Sequence, residues 1–349
     1  MIEKQKMRRW LAILLCLSVM LTFSVTVYGV YLPDVTAEMS SPRYWYSLQE
    51  NPEELLMTEE EIEAQNTLNI AADGTNMNDL RNAPEVFDGV AQRDALLVSG
   101  KSDASYYLGW TYKTNGEKAD EAFYQEMIDN SQDPDALREQ PVEYAVVVNR
   151  TTLHSFPSDE QILDDPKDPD FDYQHLTGVR VNEPLVILGH SADGKYCLAK
   201  SVCCPGWVKA EDIALCHDRQ EWLDAWDFDS DSALVVWGTY TTAASNYAPE
   251  ISRRLLTQGT TLEKVELEDR NTLVNNRAAY NNYVVNMPVR NEEGFYEKKL
   301  CLIAESAKAS EGYLPMTQKN IARVAFSQLG DMYGWGGMLM AEEDRKAHV

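Results

Sequence analysis

The chain has 349 residues, with 31 Lys and Arg against 56 Asp and Glu and a formal charge of −25. A surface this acidic repels phosphate backbones, so nucleic acid is excluded as a partner, and direct docking on anionic lipid or phosphate-rich polymers would need bridging divalent cations. The length predicts two or more domains, and 18 Tyr with 8 Trp supply aromatic surface for cores or for stacking on carbohydrate.

Lys4, Lys6, Arg8 and Arg9 form a basic start, followed by an uncharged run over residues 10–32. This is the pattern of an export leader, which places the remainder of the chain outside the cytoplasm. Val35-Thr36-Ala37 offers small residues for cleavage, whereas the uncharged run is long enough to span a membrane at about 20 residues, so both a signal peptide and a membrane anchor over 1–37 remain open. Residues 38–57, polar and acidic with Pro42 and Pro52, read as a linker or stalk. Thr58 with Glu61 matches a capping box and starts a short helix toward Asn66. A second helix is expected over 119–130, with Phe123, Met127 and Ile128 inward.

From Val142 the period changes from helical to alternating. Residues 144–148, 184–188, 196–199 and 206–209 are short β-rich runs divided by turn clusters such as Ser191-Ala192-Asp193-Gly194, and they predict a small barrel at 142–217. A second set, 233–237, 260–265, 283–289 and 299–304, predicts another at 230–310. The acidic stretch 164–170 reads as a solvated loop, with a calcium site as the alternative. His154 and His175 read as loop residues, satisfied or solvated. Outside the leader stand Cys197, Cys203, Cys204, Cys216 and Cys301; their spacing lacks a close ligand pair for zinc, and an inter-strand disulfide or buried thiols are the alternatives. No metal or other cofactor is assigned, and none of these thiols reads as catalytic.

Thr317 is an N-cap candidate for an amphipathic helix carrying Ile321, Val324, Ala325 and Leu329 on one face and stopping at Gly330. Tyr333-Gly334-Trp335-Gly336-Gly337 then reads as a rim in which glycines admit a close backbone approach between two aromatics.

Several of these stretches share one resemblance. Gly312-Tyr313-Leu314-Pro315-Met316-Thr317, Leu329-Gly330-Asp331 and Tyr333-Gly334-Trp335-Gly336-Gly337 resemble the entrance to the catalytic domain of bacterial NlpC/p60 cysteine peptidases. Gly206-Trp207-Val208 followed by Asp212-Ile213-Ala214 resembles the closing strand of an SH3b domain. Gly259-Thr260, Pro288-Val289-Arg290 and Glu293-Gly294 resemble the second SH3b type of the same family, and Asn66-Thr67-Leu68-Asn69 with Phe87-Asp88-Gly89 its helical stabilising domain. The fold class this implies is mainly β with helical parts: a helical N-terminal stabilising domain (58–141), two SH3b-like β-barrels (142–217 and 230–310) and a truncated α+β papain-like stub (311–349).

In that family the Tyr-Gly-Trp-Gly-Gly turn precedes an Asp-Cys-Ser sequence whose Cys is the nucleophile, and two later histidines complete the site. If Asp344 matches that Asp, Arg345 stands where the nucleophile belongs, and a guanidinium has no lone pair to offer. His348 is no substitute base. The expectation is therefore no catalysis by the chain as given, with Gly334, Gly336, Gly337 and Asp344 as remnants of the motif. The resemblance implies a weak substrate-binding set of Glu183, Tyr333 and Trp335, Glu183 lying where related endopeptidases turn an acid toward a peptide's free amino group. The implied partner is peptidoglycan or its stem peptides, with the membrane added if the leader is uncleaved. The implied function is an extracytoplasmic wall-binding protein; the alternative is a fragment of an active γ-D-glutamyl-L-diamino-acid endopeptidase.

Overall fold

A computed structural model describes residues 34–71, 77–98, 107–131, 137–269, 271–330 and 334–336. The architecture is mainly β with a few helices. The leader expected over residues 1–37 lies almost wholly outside the described residues, among which no helix is long and apolar enough to cross a membrane.

The first β module grows from strands whose apolar runs have two sides to bury. A two-residue pair, β1 (Val86–Phe87) with β2 (Gln140–Pro141), leads into it. Then come β3 (Glu143–Val147), β4 (Thr151–His154), β5 (His175–Val179), β6 (Pro184–His190), β7 (Tyr196–Lys200), β8 (Pro205–Lys209) and β9 (Ile213–Cys216), in one seven-stranded antiparallel sheet of order β5-β4-β8-β7-β6-β3-β9. Alternate side chains separate into two cores. Ala145, Val147, Leu185, Ile187 and Val208 gather on one face. Tyr144, Val146, Val186, Leu188 and Trp207 gather on the other, where Trp222 of the Arg219–Trp226 helix and Leu80 and Leu137 of the N-terminal region cover them. Burial on both faces explains why Val146-Val147-Val148 reads as a continuous apolar run. The indole of Trp222 is fully buried and donates to Ala145 O at 3.0 Å. Strands β4 and β5 were not expected from the sequence, because Thr151–His154 and His175–Val179 carry too few apolar residues to show a period.

The second module has β10 (Ala233–Val236), the pair β11 (Tyr240–Thr241) with β12 (Leu255–Leu256), β13 (Thr261–Lys264), the pair β14 (Leu273–Val274) with β15 (Arg277–Ala278), and then β16 (Asn282–Arg290), β17 (Tyr296–Ala304) and β18 (Ala309–Glu311). Its main sheet has the order β17-β16-β13-β10-β18 around Leu234, Val236, Leu262, Val285, Met287 and Ile303. The tip of the β16/β17 hairpin carries Gly294 at φ +96°. It docks on the first module, with Leu215 N donating to Gly294 O at 3.1 Å and Arg290 Nη1 to Ile213 O at 3.0 Å. Asn182 Nδ2 ties the junction further, to Ala225 O at 2.9 Å and Thr261 O at 3.2 Å.

The N-terminal region is bound into the first module rather than standing alone. Thr58 and Glu61 exchange the two hydrogen bonds of a capping box at the start of the Glu59–Ala71 helix. The Glu121–Asn130 helix is capped by Asp120 and buries Phe123, Tyr124 and Met127, Tyr124 being an addition to the expected inward set. These rings pack with Phe156 and Ile162, which belong to the long β4–β5 loop of the first module, so one core spans the expected boundary at 141/142.

Two expectations at the ends of the described chain need correction. Residues 38–57 are not a free stalk: Pro42–Ser47 is a helix capped by Ser41, Leu56 N donates to Met316 O at 2.8 Å, and Lys319 N donates to Pro52 O at 2.9 Å. Backbone donors paired in this way have no need of solvent, so the segment lies along the C-terminal helix. That helix, Gln318–Phe326, is capped as expected by Thr317 Oγ1, but it ends before Gly330. Ser327 Oγ donates to Val324 O at 2.7 Å, and the next amides make tight turn bonds to Ala325 O and Phe326 O, closing the helix early. Gly330, at φ +100°, bends the chain beyond it.

Candidate functional site

The long β4–β5 loop, residues 155–174, receives the expected motif turn on one flank and lines a cleft with the other. Trp335 N donates to Asp170 O at 3.0 Å, and its indole packs on Phe171 with ring centroids 4.9 Å apart and on Tyr173 at 6.3 Å. Tyr173 meets Trp110 edge-on at 5.3 Å. Gly336 sits at φ +66°, and a Cβ there would lie 2.4 Å from His175 O, so only glycine permits this approach. Trp335 remains 38% exposed, which leaves part of its ring available to a ligand. Gly334 is part of the same turn; Tyr333, Gly337 and Asp344 lie outside the described residues, as do Arg345 and His348.

Beneath this turn two histidines stack. Expected as separate loop residues, His154 and His175 instead sit on the paired strands β4 and β5 with ring centroids 5.2 Å apart. A register shift at Leu153/His154 brings the rings over one another. Thr152 Oγ1 lies 2.9 Å from His154 Nε2, and Ser158 O lies 3.0 Å from Nδ1. Burial, followed by the neighbouring His175, pushes His154 down to about 3, so this ring is neutral at ordinary pH. His175 lies 3.5 Å from Asp172, which also accepts from Ile162 N and Gln174 N at 3.0 and 2.9 Å. The pair is a support for the loop, with its polar atoms engaged.

The cleft, about 1070 Å³, opens between the Glu121–Asn130 helix, loop residues 157–160 and the β6–β7 turn. Glu126, Asp129, Asp159, Glu160 and Asp193 outnumber Lys113 and Lys195 along its walls. Asp159 accepts from Tyr196 Oη at 2.7 Å and pairs with Lys209 at 2.6 Å. Burial raises its carboxyl, but Lys209 and Tyr196 outweigh this and hold it below its usual value. An open, acid-lined cleft of this kind favours an amine-bearing ligand over an anionic one.

Glu183 stands elsewhere. It is 8% exposed in the turn between β5 and β6, where Oε2 accepts from Arg180 N and Arg180 Nε, both at 3.0 Å. Asn182 in the same turn has φ +66°, so the carboxylate closes a strained turn at the junction of the modules and does not line the cleft. Its Oε1 is buried without a hydrogen-bond partner.

The stretch 164–170 is an exposed loop apart from its last residue, with Asp165 Oδ1 accepting from Lys167 N at 2.9 Å. Among the described residues no group of three His, Cys, Asp or Glu is arranged to hold a metal ion. The five cysteines Cys197, Cys203, Cys204, Cys216 and Cys301 are all free, so the inter-strand disulfide expected as an alternative is not formed. One grouping escaped the sequence reading: Cys197, His190 and Glu143 meet on neighbouring strands. The spacing of Cys197 from His190 around the Ser191-Ala192-Asp193-Gly194 turn was the available signal, since a hairpin returns its flanking residues to one another.

Residues 162–209 match the family model of the SH3 domain of SH3b1 type. No curated protein matches the chain in sequence. In structure the chain is similar to an NlpC/P60 endopeptidase from Photobacterium damselae subsp. piscicida, at a TM-score of 0.59 and 17% identity over 84% of this chain. The match spans 62% of that endopeptidase's length. The first β module thus contains an SH3b-type domain, and the chain shares its overall fold with most of an NlpC/P60 endopeptidase structure.

Proposed function

We propose that this chain is an extracytoplasmic, cell-wall-associated protein of NlpC/P60 type that binds peptidoglycan stem peptides through its first β module and does not cleave them. The observation that carries the reading is the seating of Trp335 on Phe171 and Tyr173 of the SH3b-type module, with the same loop continuing into an acid-lined cleft. Stem peptides bear free amino groups, which the carboxylates of Asp129, Asp159 and Asp193 attract, and an aliphatic peptide backbone, which a half-exposed indole covers. Glu183, closed on Arg180, acts at one remove by fixing the module junction. The non-catalytic part of this reading rests on one match: if Asp344 corresponds to the Asp ahead of the family's nucleophile, Arg345 stands in the nucleophile's place, and a guanidinium cannot serve as one.

Export rests on the basic start and the uncharged run of residues 10–32, and fractionation of cells would recover the protein outside the cytoplasm. The binding test is co-sedimentation of the full chain with purified peptidoglycan. Retention that weakens with added salt supports the reading; a chain left wholly in the supernatant at low salt refutes it. A second reading, favoured by the Gly334-Trp335-Gly336 turn, makes this chain the non-catalytic portion of an active γ-D-glutamyl-L-diamino-acid endopeptidase. Reading the coding DNA past the Val349 codon decides it: an Asp-Cys-Ser frame with two later histidines establishes the peptidase, and a stop without such a frame removes it.

A further inference from the structure

Across three adjacent interior strands of the first module, β7, β6 and β3, a cysteine at the margin of the apolar core meets an imidazole and a carboxylate that reach solvent. Cys197 on β7 lies 3.4 Å from His190 Nδ1, and His190 Nε2 lies 2.6 Å from Glu143 Oε2 on β3. The alignment depends on an irregularity in the sheet. Ile187 pairs with Ala199, but a register shift before Gly189 sets His190 opposite Cys197; regular pairing would have set it opposite Tyr196. A carboxylate taking the Nε2 hydrogen fixes the tautomer and leaves Nδ1 to deal with the thiol proton, which is the relation between orienting group, base and nucleophile in thiol chemistry.

Burial decides what such a thiol can meet. Cys197 is 2% exposed, whereas the side chains of His190 and Glu143 are 45% and 46% exposed. A peptide carbonyl with its substituents has no room to approach that sulfur, so acyl transfer from a polymer is ruled out, and any partner of this thiol has to be a reagent of a few atoms. Cys216 and Cys301 supply the contrast within the same chain. Both are buried without an imidazole partner, and burial pushes each thiol up to about 12. His190 behaves oppositely to a desolvated histidine: its hydrogen bonds with Cys197 and Glu143 hold it protonated up to about 10, and these two are the titratable groups acting on it, from β7 and β3. The same pairing with His190 holds Glu143 below the usual carboxylate range.

We propose that Cys197 is a reactive thiol, activated by His190 and Glu143, that small hydroperoxides oxidise to sulfenic acid. In the step, the proton between Cys197 Sγ and His190 Nδ1 stays on the imidazolium and the sulfur attacks the terminal peroxide oxygen. The S–O bond forms as the O–O bond breaks, and the departing alkoxide or hydroxide takes the proton back from Nδ1. The thiol and hydroperoxide become sulfenic acid and alcohol or water, with sulfur oxidised by two electrons and the peroxide reduced by two. His190 here is a base acting on the reacting sulfur, and Glu143 is a positioning residue.

The test treats the full chain with hydrogen peroxide while dimedone traps sulfenic acid, and follows each cysteine by peptide mass spectrometry. Trypsin cleaves after Lys195 and Lys200, so Cys197 reports alone. Expected is labelling of Cys197 at least about ten-fold faster than of Cys216 or Cys301, a loss of about ten-fold in His190→Gln, and a displaced pH profile of the rate in Glu143→Gln. Equal rates at Cys197, Cys216 and Cys301, or a Cys197 rate and pH profile unchanged in both variants, would overturn the proposal. Should His190→Gln fail to fold, Glu143→Gln, altering a half-exposed side chain, carries the decision through its pH profile.

Discussion

The two β modules are built alike and equipped differently. Each has an antiparallel sheet with a dense aliphatic core, and they meet through the backbone of Leu215 and Gly294 and through the side chain of Asn182, which donates to Thr261 O. Yet His154, His175, His190 and His217 all fall on or directly after the first module's sheet, and the second module contains no histidine at all. The second module's Cys301 is buried against its own strand, while Cys197 of the first is addressed by an imidazole. A sheet with two covered faces and a long loop can hold polar groups at defined distances, and the first module does so; the second gives a plain scaffold for comparison.

The largest expected effect breaks the shared feature, the core. Trp222→Ala removes a fully buried indole and its hydrogen bond to Ala145 O, and should cost about 3–5 kcal/mol; Leu262→Ala in the second module should cost about 2–5 kcal/mol. Denaturant midpoints measure both. Losses below about 1 kcal/mol would mean that these cores are not as packed as described.

The next effect separates the modules through pH. Below about pH 6.5 the unfolded chain takes up a proton that folded His154 refuses, so stability falls as pH drops toward about 3, at up to about 1.4 kcal/mol per pH unit. For His190 the sign reverses: its contribution is fully present below about 6.5 and is lost as pH rises toward about 10. Unfolding curves of His154→Gln and His190→Gln against wild type should therefore differ in opposite pH ranges. No variant of the second module should imitate either.

Smaller still is Trp335→Ala, which loses the packing on Phe171 and should cost about 0.5–1.5 kcal/mol, read from the thermal midpoint. Lys319→Ala removes an exposed pair with Glu53, which water and salt screen, and should leave the thermal midpoint nearly unchanged.

What the sequence made legible follows from the range of the forces involved. The capping box at Thr58 and Glu61, the helix around Phe123 and Met127, and the apolar strands near Val146 and Val285 are set by neighbours in sequence, and period alone reveals them. The C-terminal helix was legible at its start, where Thr317 caps it, and not at its end, where the Ser327 hydroxyl competes for a carbonyl ahead of Gly330. The folding back of residues 38–57 depends on partners such as Met316 and Lys319, far away in the chain. The meeting of Cys197 with His190, and of His154 with His175, each depends on a register shift, and no periodic pattern announces one. The glycines of the motif turn announced a close backbone approach, as at Gly336, but its seat on Phe171 and His175 was not legible, because an exposed loop's landing place is fixed only when the sheet beneath it has formed.

The most direct measurement of the central claim is calorimetric titration of the full chain with a purified peptidoglycan stem tetrapeptide, with Trp335→Ala and Tyr247→Ala run beside it. Trp335 lies on the first module's loop, and Tyr247 is 70% exposed on the second module. Saturable binding without hydrolysis is expected, weakened about ten-fold or more by Trp335→Ala and unaltered by Tyr247→Ala. Absence of saturable heat, or equal affinity in wild type and Trp335→Ala, would contradict it.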